Sequence, residues 1–498
     1  MAEYDRRFSF TNCVDQMLSN PMGRPESKPL FVNATTGEAI TLNNLRHMVG
    51  AIHAGLRRLG LKYGDTVCVN SPNNINMGPI YLAAMAGGMT ISPANTSYVS
   101  SELQRQLQVS EAKVLIAHPI NLNIAMDAAV SVGMPRSRVF SIIPDPKWRV
   151  PHYRDILLNY AQPELPPVNM THDQSVNTVA YLCFSSGTTG KKLHAYTDVI
   201  NNHLYSHYNV ISATVGMDEV IGLFDNPAED PTALAVIPLI HFSGICSFFN
   251  LAIPTATTSI FLEKYSVAAM CEAIQTFKVS DLPAAPPILI HLANRPECAE
   301  KSNAVVANGY GMTETSPVIT VQAAGPLKPG SIGRVIPIMK YKVINSDGRE
   351  VGLGQPGELC VCGPNVMLGY KDDPEATANA IDKDNWLHTA PVELEAVLIQ
   401  CPFVTDAGVI GVKDELQGTE VPLAYVTLLE KLKGQEDVLA SKIQEWVDKR
   451  VANHKRLRGG VRVIDEIPKS AAGKILRKNI KDIYNQQKKE LGERASKL

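Results

Sequence analysis

Surplus charge of either sign is missing from this chain: 47 Lys and Arg stand against 49 Asp and Glu, a net charge of −2 over 498 residues. That balance supplies no general electrostatic pull on nucleic acid or an anionic membrane. A disulfide framework is missing too, because the nine cysteines are scattered over the whole length. The one close pair, Cys360 and Cys362, shares a face if it lies on a strand, but two ligands are too few for a zinc site. Unpaired thiols suit a reducing compartment, and the opening MAEYDRRFSF has no apolar segment fit for a secretory signal, so an intracellular protein is expected. Residues 231–262 carry no Asp, Glu, Lys or Arg, yet Pro238, His241, Asn250 and Pro254 interrupt them. Such a run is expected in a buried core rather than a membrane. With 45% apolar and 19% charged residues, the chain can bury a large core and divide into more than one domain.

Strand and helix signals alternate along the first third. Leu45, Val49, Ile52, Leu56 and Leu59 recur at helical spacing between a capping Thr41 and a terminating Gly60. A strand at 66–69, a helix at 76–86, a strand at 89–92, a helix at 102–108 capped by Ser101 with Gln104, and a strand at 114–117 follow. This order predicts an α/β fold with parallel-rich sheets covered by helices. Ligands in such sheets bind at the carboxyl ends of strands, where loops lead into helices.

One such loop stands out. The apolar run at 179–184 leads directly into Ser185, Ser186, Gly187, Thr188, Thr189, Gly190 and Lys191, whose amides, hydroxyls and ammonium group can grip phosphate oxygens. It is not the loop of P-loop NTPases, which needs glycine where Ser185 stands and Ser or Thr where Lys192 stands. Taken alone it could equally be a polar turn. A strand-like 304–307 then precedes Asn308, Gly309, Tyr310, Gly311, Met312, Thr313 and Glu314, a ring for a base, a hydroxyl for phosphate and a carboxylate for Mg²⁺. Pro356, Gly357, Glu358 and Leu359, then Gly369 and Tyr370, flank a strand at 359–362. Near the end, Gly473 and Lys474 form a turn before an amphipathic helix.

Together these segments resemble the adenylate-forming superfamily of acyl-CoA synthetases, luciferases and peptide-synthetase adenylation domains, and most of all 4-coumarate:CoA ligase-like and fungal acyl-CoA ligases. The resemblance covers nearly the whole chain. It implies a large AMP-binding domain at 1–389 and a small α+β domain at 390–498. It also implies two half-reactions: a carboxylate and ATP give an acyl adenylate and pyrophosphate, and the acyl group then passes to coenzyme A. By that comparison Ser185 through Lys191 hold the β- and γ-phosphates, Tyr310 stacks on adenine beside Gly311, Thr313 binds the α-phosphate and Glu314 holds Mg²⁺. Lys474 would bridge carboxylate and α-phosphate, and His241 would gate the acyl pocket, although a lone histidine in an apolar run is more often a hydrogen-bonded core residue. Glu358 would brace the sheet. The small domain would rotate between the half-reactions. Residues 431–498 hold 18 Lys and Arg against 9 Asp and Glu, a surface suited either to the phosphates of coenzyme A or merely to solvent.

Three joins depart from the family pattern. After Gly190 the family continues with a strand leading to a Thr-His pair, where this chain reads Lys191, Lys192, Leu193, His194. Between Glu300 and Ser302 the family carries a strand, a loop and a helix that wall the acyl pocket. After Thr389 it carries an aspartate for the ribose and the domain hinge, where this chain passes to Ala390; Asp382 and Asp384 are not substitutes by position. The expected function is an ATP-dependent acyl-CoA ligase for fatty-acid or secondary metabolism, the alternative a non-catalytic nucleotide- or acyl-binding relative. The terminal Ser496, Lys497 and Leu498 match the address read by the peroxisomal import receptor, so a peroxisomal location is expected, with neither nucleic acid nor a transmembrane segment involved.

Overall fold

The computed structural model describes residues 10–145, 147, 149–185, 201–221, 230–284, 288, 308–322, 328, 331–345, 348–355, 357–389, 393–399, 401–414, 419–429, 432, 434–448, 456–469 and 475–495. The chain divides into two compact units. The first comprises 1–185, 202–341 and 361–387; the second comprises 186–201, 342–360 and 388–498.

The first unit is built mainly on two sheets. Strands β1 (Pro29–Asn33) and β2 (Ala39–Thr41) belong to a four-stranded sheet. Strands β3 (Thr66–Asn70), β4 (Thr90–Ala94), β5 (Ala112–Ala117), β6 (Val139–Ser141), β7 (Val179–Ser185) and β8 (Asn201–Ser206) belong to a seven-stranded sheet. With β9 (Thr232–Ala235) and β10 (Thr258–Phe261), the smaller sheet has the order β2-β1-β10-β9. The larger has the order β16-β8-β7-β4-β3-β5-β6, its β7-β4-β3-β5-β6 stretch parallel. Its edge strand β16 (Gly369–Tyr370) runs antiparallel to β8.

Burial explains the pattern. Helix Met77–Ala86 is apolar and buried on every side, which suits a helix enclosed in a core rather than one with a solvated face. Gly78 lies against Phe31 of β1 and Phe249, and Tyr81, one turn on, meets Phe249 edge-on at 5.8 Å and Tyr181 of β7 at 6.1 Å. Helix Leu42–Arg58 starts at the expected cap, Thr41 accepting the Asn44 N–H at 3.1 Å, and ends before Gly60 at φ +86°. Helix Ser100–Ser110 begins earlier than its sequence suggests. Its cap is Val99, whose N–H donates to the Glu102 carboxylate at 3.0 Å, so Glu102 does the work expected of Ser101 and Gln104. The uncharged run at 231–262 is core: β9, helix Phe242–Ile245, the π-helical turn Cys246–Leu251 and β10. Among the described residues no helix is long and apolar enough to cross a membrane.

Strands β11 (Gly309–Tyr310), β12 (Thr320–Val321) and β13 (Arg334–Val335) form a short antiparallel sheet. Strands β14 (Lys340–Ile344), β15 (Glu358–Cys362) and β17 (Leu387–His388) share a three-stranded sheet. In the second unit β18 (Val404–Asp414) and β19 (Thr419–Leu428) form a long antiparallel pair, joined in parallel by β20 (Gly460–Val463). Helices Glu393–Ile399, Glu436–Asp448 and Arg477–Ala495 complete that unit. Among the described residues seven cysteines are free thiols, while Cys271 is disulfide-bonded, contrary to the expectation of unpaired thiols throughout.

Candidate active site

The turn between β11 and β12 carries four of the expected site residues. Thr313–Thr315 makes a single 3₁₀ turn, with the Met312 N–H donating to Thr315 Oγ1 at 3.1 Å, and Ser316 closes it in the left-handed conformation. Gly311 is required there by close approach, because a Cβ would fall 1.7 Å from the Pro317 carbonyl oxygen. Asn365 pins the same turn from outside, donating to the Thr315 and Val318 carbonyls at 2.7 and 2.9 Å. Tyr310 and Thr313 are half-buried and Gly311 is exposed.

Glu314 is the most constrained of the four. It is buried, yet its carboxyl is held at about 2. Burial alone pushes it upward, since a carboxylate loses hydration there, but His203 and Tyr370 outweigh that cost. The Tyr370 hydroxyl donates to Oε1 at 2.9 Å, and His203 Nε2 lies 3.3 Å from the same oxygen. Their positions follow from the sheet, in which Tyr370 of β16 is paired in register with His203 of β8. The Met367 N–H also donates to the Glu314 carbonyl at 2.9 Å. The result is an ionised carboxylate fixed through one oxygen, a donor suited to a hard divalent cation such as Mg²⁺.

β8 also connects this turn to the expected acyl-pocket histidine. Tyr205 donates its hydroxyl to the Thr313 carbonyl at 2.7 Å, and its ring stacks on Phe242 at 4.2 Å with planes 13° apart. Phe242 follows His241, which is exposed at the start of its short helix instead of buried in the core. Two side chains thus lie between the backbone at His241 and the backbone at Thr313. Ser185 ends β7, the neighbour of β8 in the sheet. Ser186, Gly187, Thr188, Thr189, Gly190, Lys191 and Lys474 lie outside the described residues, as do Ser496, Lys497 and Leu498.

Two features were not legible as site elements. Tyr370 was visible as part of a Gly-Tyr pair, but its carboxylate partner is 56 positions away. His203 had no signal, because the strand holding it lies beyond the altered join. That strand and its exit do exist: β8 leads through Ser206 into His207, which opens helix His207–Ile221. A strand, β8, thus follows beyond the altered join. His207 is fully buried, its Nδ1 accepting the Cys13 N–H at 3.3 Å, and burial lowers its ring to about 3, so it is neutral and structural. At the third join, Thr389 donates through its N–H and hydroxyl to the Leu359 carbonyl. The Asp382 carboxylate accepts the N–H groups of Asp384 and Trp386 at 2.9 Å each, which ties it to its own turn.

The chain belongs to the AMP-binding enzyme family: that family's model matches residues 19–305 and 297–371. The model of the AMP-binding enzyme C-terminal domain matches 393–474, ending on Lys474. Among curated proteins it is similar to a 4-coumarate–CoA ligase of Vanilla planifolia, 28% identical over 91% of this chain and 90% of that one. The phenylacetyl-CoA ligase epaB of Aspergillus niger is 29% identical over 91% and 94%. Solved structures share the fold. ATP-bound MatB from Rhodopseudomonas palustris has a TM-score of 0.72 at 20% identity, covering 95% of this chain and 99% of its own. A Mycobacterium tuberculosis fatty acyl CoA synthetase has a TM-score of 0.71 at 20% identity, covering 96% and 99%. Two of the joins leave a trace in these matches. The first model match breaks and restarts at 297–305, and the second begins at 393, just past Ala390. The Vanilla alignment runs over 525 positions but takes in 91% of this chain, about 453 residues, so about 72 positions have no counterpart in it.

Proposed function

We propose that the protein is an ATP-dependent, AMP-forming acyl-CoA ligase. The observation that carries the reading is the ionised, buried Glu314, fixed by Tyr370 and His203 in the turn that also bears Tyr310 and Thr313, inside a chain of the AMP-binding enzyme family. A substrate carboxylate oxygen would attack the α-phosphorus of ATP, the bond to the bridging oxygen would break, and pyrophosphate would leave with its electron pair. The CoA thiol, losing its proton, would then displace AMP from the acyl carbon. Attack of one anion on another needs positive charge and donors aimed at the transition state. Ser185 through Lys191 and Lys474 would supply them, while Tyr310 packs against adenine and Thr313 meets the α-phosphate.

Mg²⁺ would rest on Glu314, where both side-chain contacts fall on Oε1 and the second oxygen is the one to meet the cation. When bound, it would neutralise phosphate charge. Relatives named for 4-coumarate and phenylacetate put aromatic acids first among the candidates, with medium-chain and polyketide-like acids after them. The large domain at 1–389 would bind the nucleotide and the small one at 390–498 would bring Lys474. Pyrophosphate release, measured across a panel of carboxylic acids with ATP and Mg²⁺, tests the reading.

A second reading, a nucleotide- or acyl-binding relative without turnover, is favoured by one observation: Thr389 is followed by Ala390 in place of a ribose-binding aspartate. Nucleotide binding without pyrophosphate release for any acid would select it. Peroxisomal import through Ser496, Lys497 and Leu498, serving fatty-acid or secondary metabolism, completes the proposal. A fluorescent fusion ending in those residues should be punctate, and the same fusion lacking them cytosolic.

A further inference from the structure

Glu358, Cys360 and His388 stand apart from the nucleotide site and place three unlike donor atoms together. Strand alternation puts Glu358 and Cys360 on one face of β15, and His388 comes from β17 of the same sheet. Their ligand atoms all lie within 4.8 Å of one another, and among the described residues this is the one such group of three. All three residues belong to the second unit. The partners of Cys360 in this cluster are His388 and Glu358.

Two of the three donor-atom spacings match the edges of a tetrahedral chelate. His388 Nδ1 is 3.6 Å from Cys360 Sγ and 3.3 Å from Glu358 Oε1. Around a tetrahedral zinc ion, bond lengths of ~2.3 Å to sulfur and ~2.0–2.2 Å to nitrogen and oxygen separate S from N by about 3.5 Å and N from O by about 3.4 Å. Both observed separations agree with these edges to about 0.1 Å. One nitrogen facing a thiol and a carboxylate together can give a proton to only one of them at a time, whereas a metal ion satisfies all three. Cys360 is fully buried, while the Glu358 and His388 side chains are about one-third exposed, at 33% and 31%, leaving a path from solvent.

We propose that Glu358, Cys360 and His388 form a binding site for Zn²⁺, with water in the fourth position, distinct from the oxygen site at Glu314. Sulfur and imidazole nitrogen select a borderline metal over Mg²⁺. On binding, the Cys360 S–H bond is exchanged for an S–Zn bond and the proton goes to solvent. The bound ion ties β15 to β17 immediately before Thr389, where the chain leaves the sheet.

The test uses the full chain, stripped of metal with a chelator and titrated with Co²⁺ as a spectroscopic substitute for Zn²⁺. A near-ultraviolet thiolate-to-cobalt band should saturate at one Co²⁺ per chain and disappear on adding Zn²⁺. Cys360→Ser should abolish the band and Cys362→Ser should retain it. Because Cys360 is buried and its substitution could impair folding, Glu358→Gln and His388→Asn carry the test at part-exposed positions, each expected to weaken Co²⁺ binding at least tenfold. Absence of the band in the wild-type chain, a band that follows Cys362, or unchanged affinity in both part-exposed variants would overturn the proposal.

Discussion

Glu314 keeps its charge in a buried place because its neighbours replace the water it loses, and the replacement is measurable. Its folded value of about 2 lies below its ordinary 4.5. The stabilisation is therefore full above about pH 5 and is lost as pH falls from 4.5 towards 2, with a size of a few kcal/mol by linkage. Glu314→Gln should lower stability to denaturant at pH 7, and the gap from wild type should narrow at pH 3. The same variant should lose Mg²⁺-dependent ATP use. Tyr370→Phe removes one hydrogen bond to the charged carboxylate, about 1.5–3 kcal/mol, and should raise the pH at which acid unfolding begins. Tyr310, Gly311, Thr313 and Glu314 were legible in sequence because they are contiguous. Their supports, Tyr205, His203, Asn365 and Tyr370, were not, because only strand pairing brings them near.

At the scale of elements, local signals succeeded where backbone and side chain agree. Thr41 and Gly60 bracket a helix whose apolar spacing needs nothing distant. The boundary failed at Ser101, where Glu102 reaches back to the N–H of Val99 and moves the start forward, a competition between two adjacent caps. β8 escaped the reading because it lies beyond the altered join. The site turn itself depends on one missing side chain. Gly311→Ala would drive a Cβ into the Pro317 carbonyl, which backbone movement alone can relieve. The expected result is a loss of about 1–3 kcal/mol in thermal or denaturant unfolding together with weaker nucleotide binding. Unchanged binding with unchanged stability would show that the turn tolerates the displacement.

For the molecule as a whole, the α/β class and family were readable from the order of several motifs, and the altered joins from breaks between them. What the sequence could not supply was which groups stand in for lost ones; the Asp382 carboxylate caps its own turn through the N–H groups of Asp384 and Trp386. If the ribose ligand is missing, ATP affinity should be tenfold to a hundredfold weaker than with it, about 1.5–3 kcal/mol for a hydrogen-bonded anionic acceptor. Inserting a family-like segment between Thr389 and Ala390 should restore nucleotide binding, read by calorimetric titration.

The most direct measurement of the central claim incubates the purified 498-residue chain with ATP, Mg²⁺, coenzyme A and one carboxylic acid at a time, following pyrophosphate, AMP and thioester by mass spectrometry. The account predicts that an accepted acid yields all three products in equal amounts, at a raised KM for ATP. It further predicts that Lys474→Ala stops adenylate formation while leaving thioester formation from supplied acyl adenylate largely intact. Release of ADP and phosphate in place of AMP and pyrophosphate, or ATP binding without product from any acid, would contradict it.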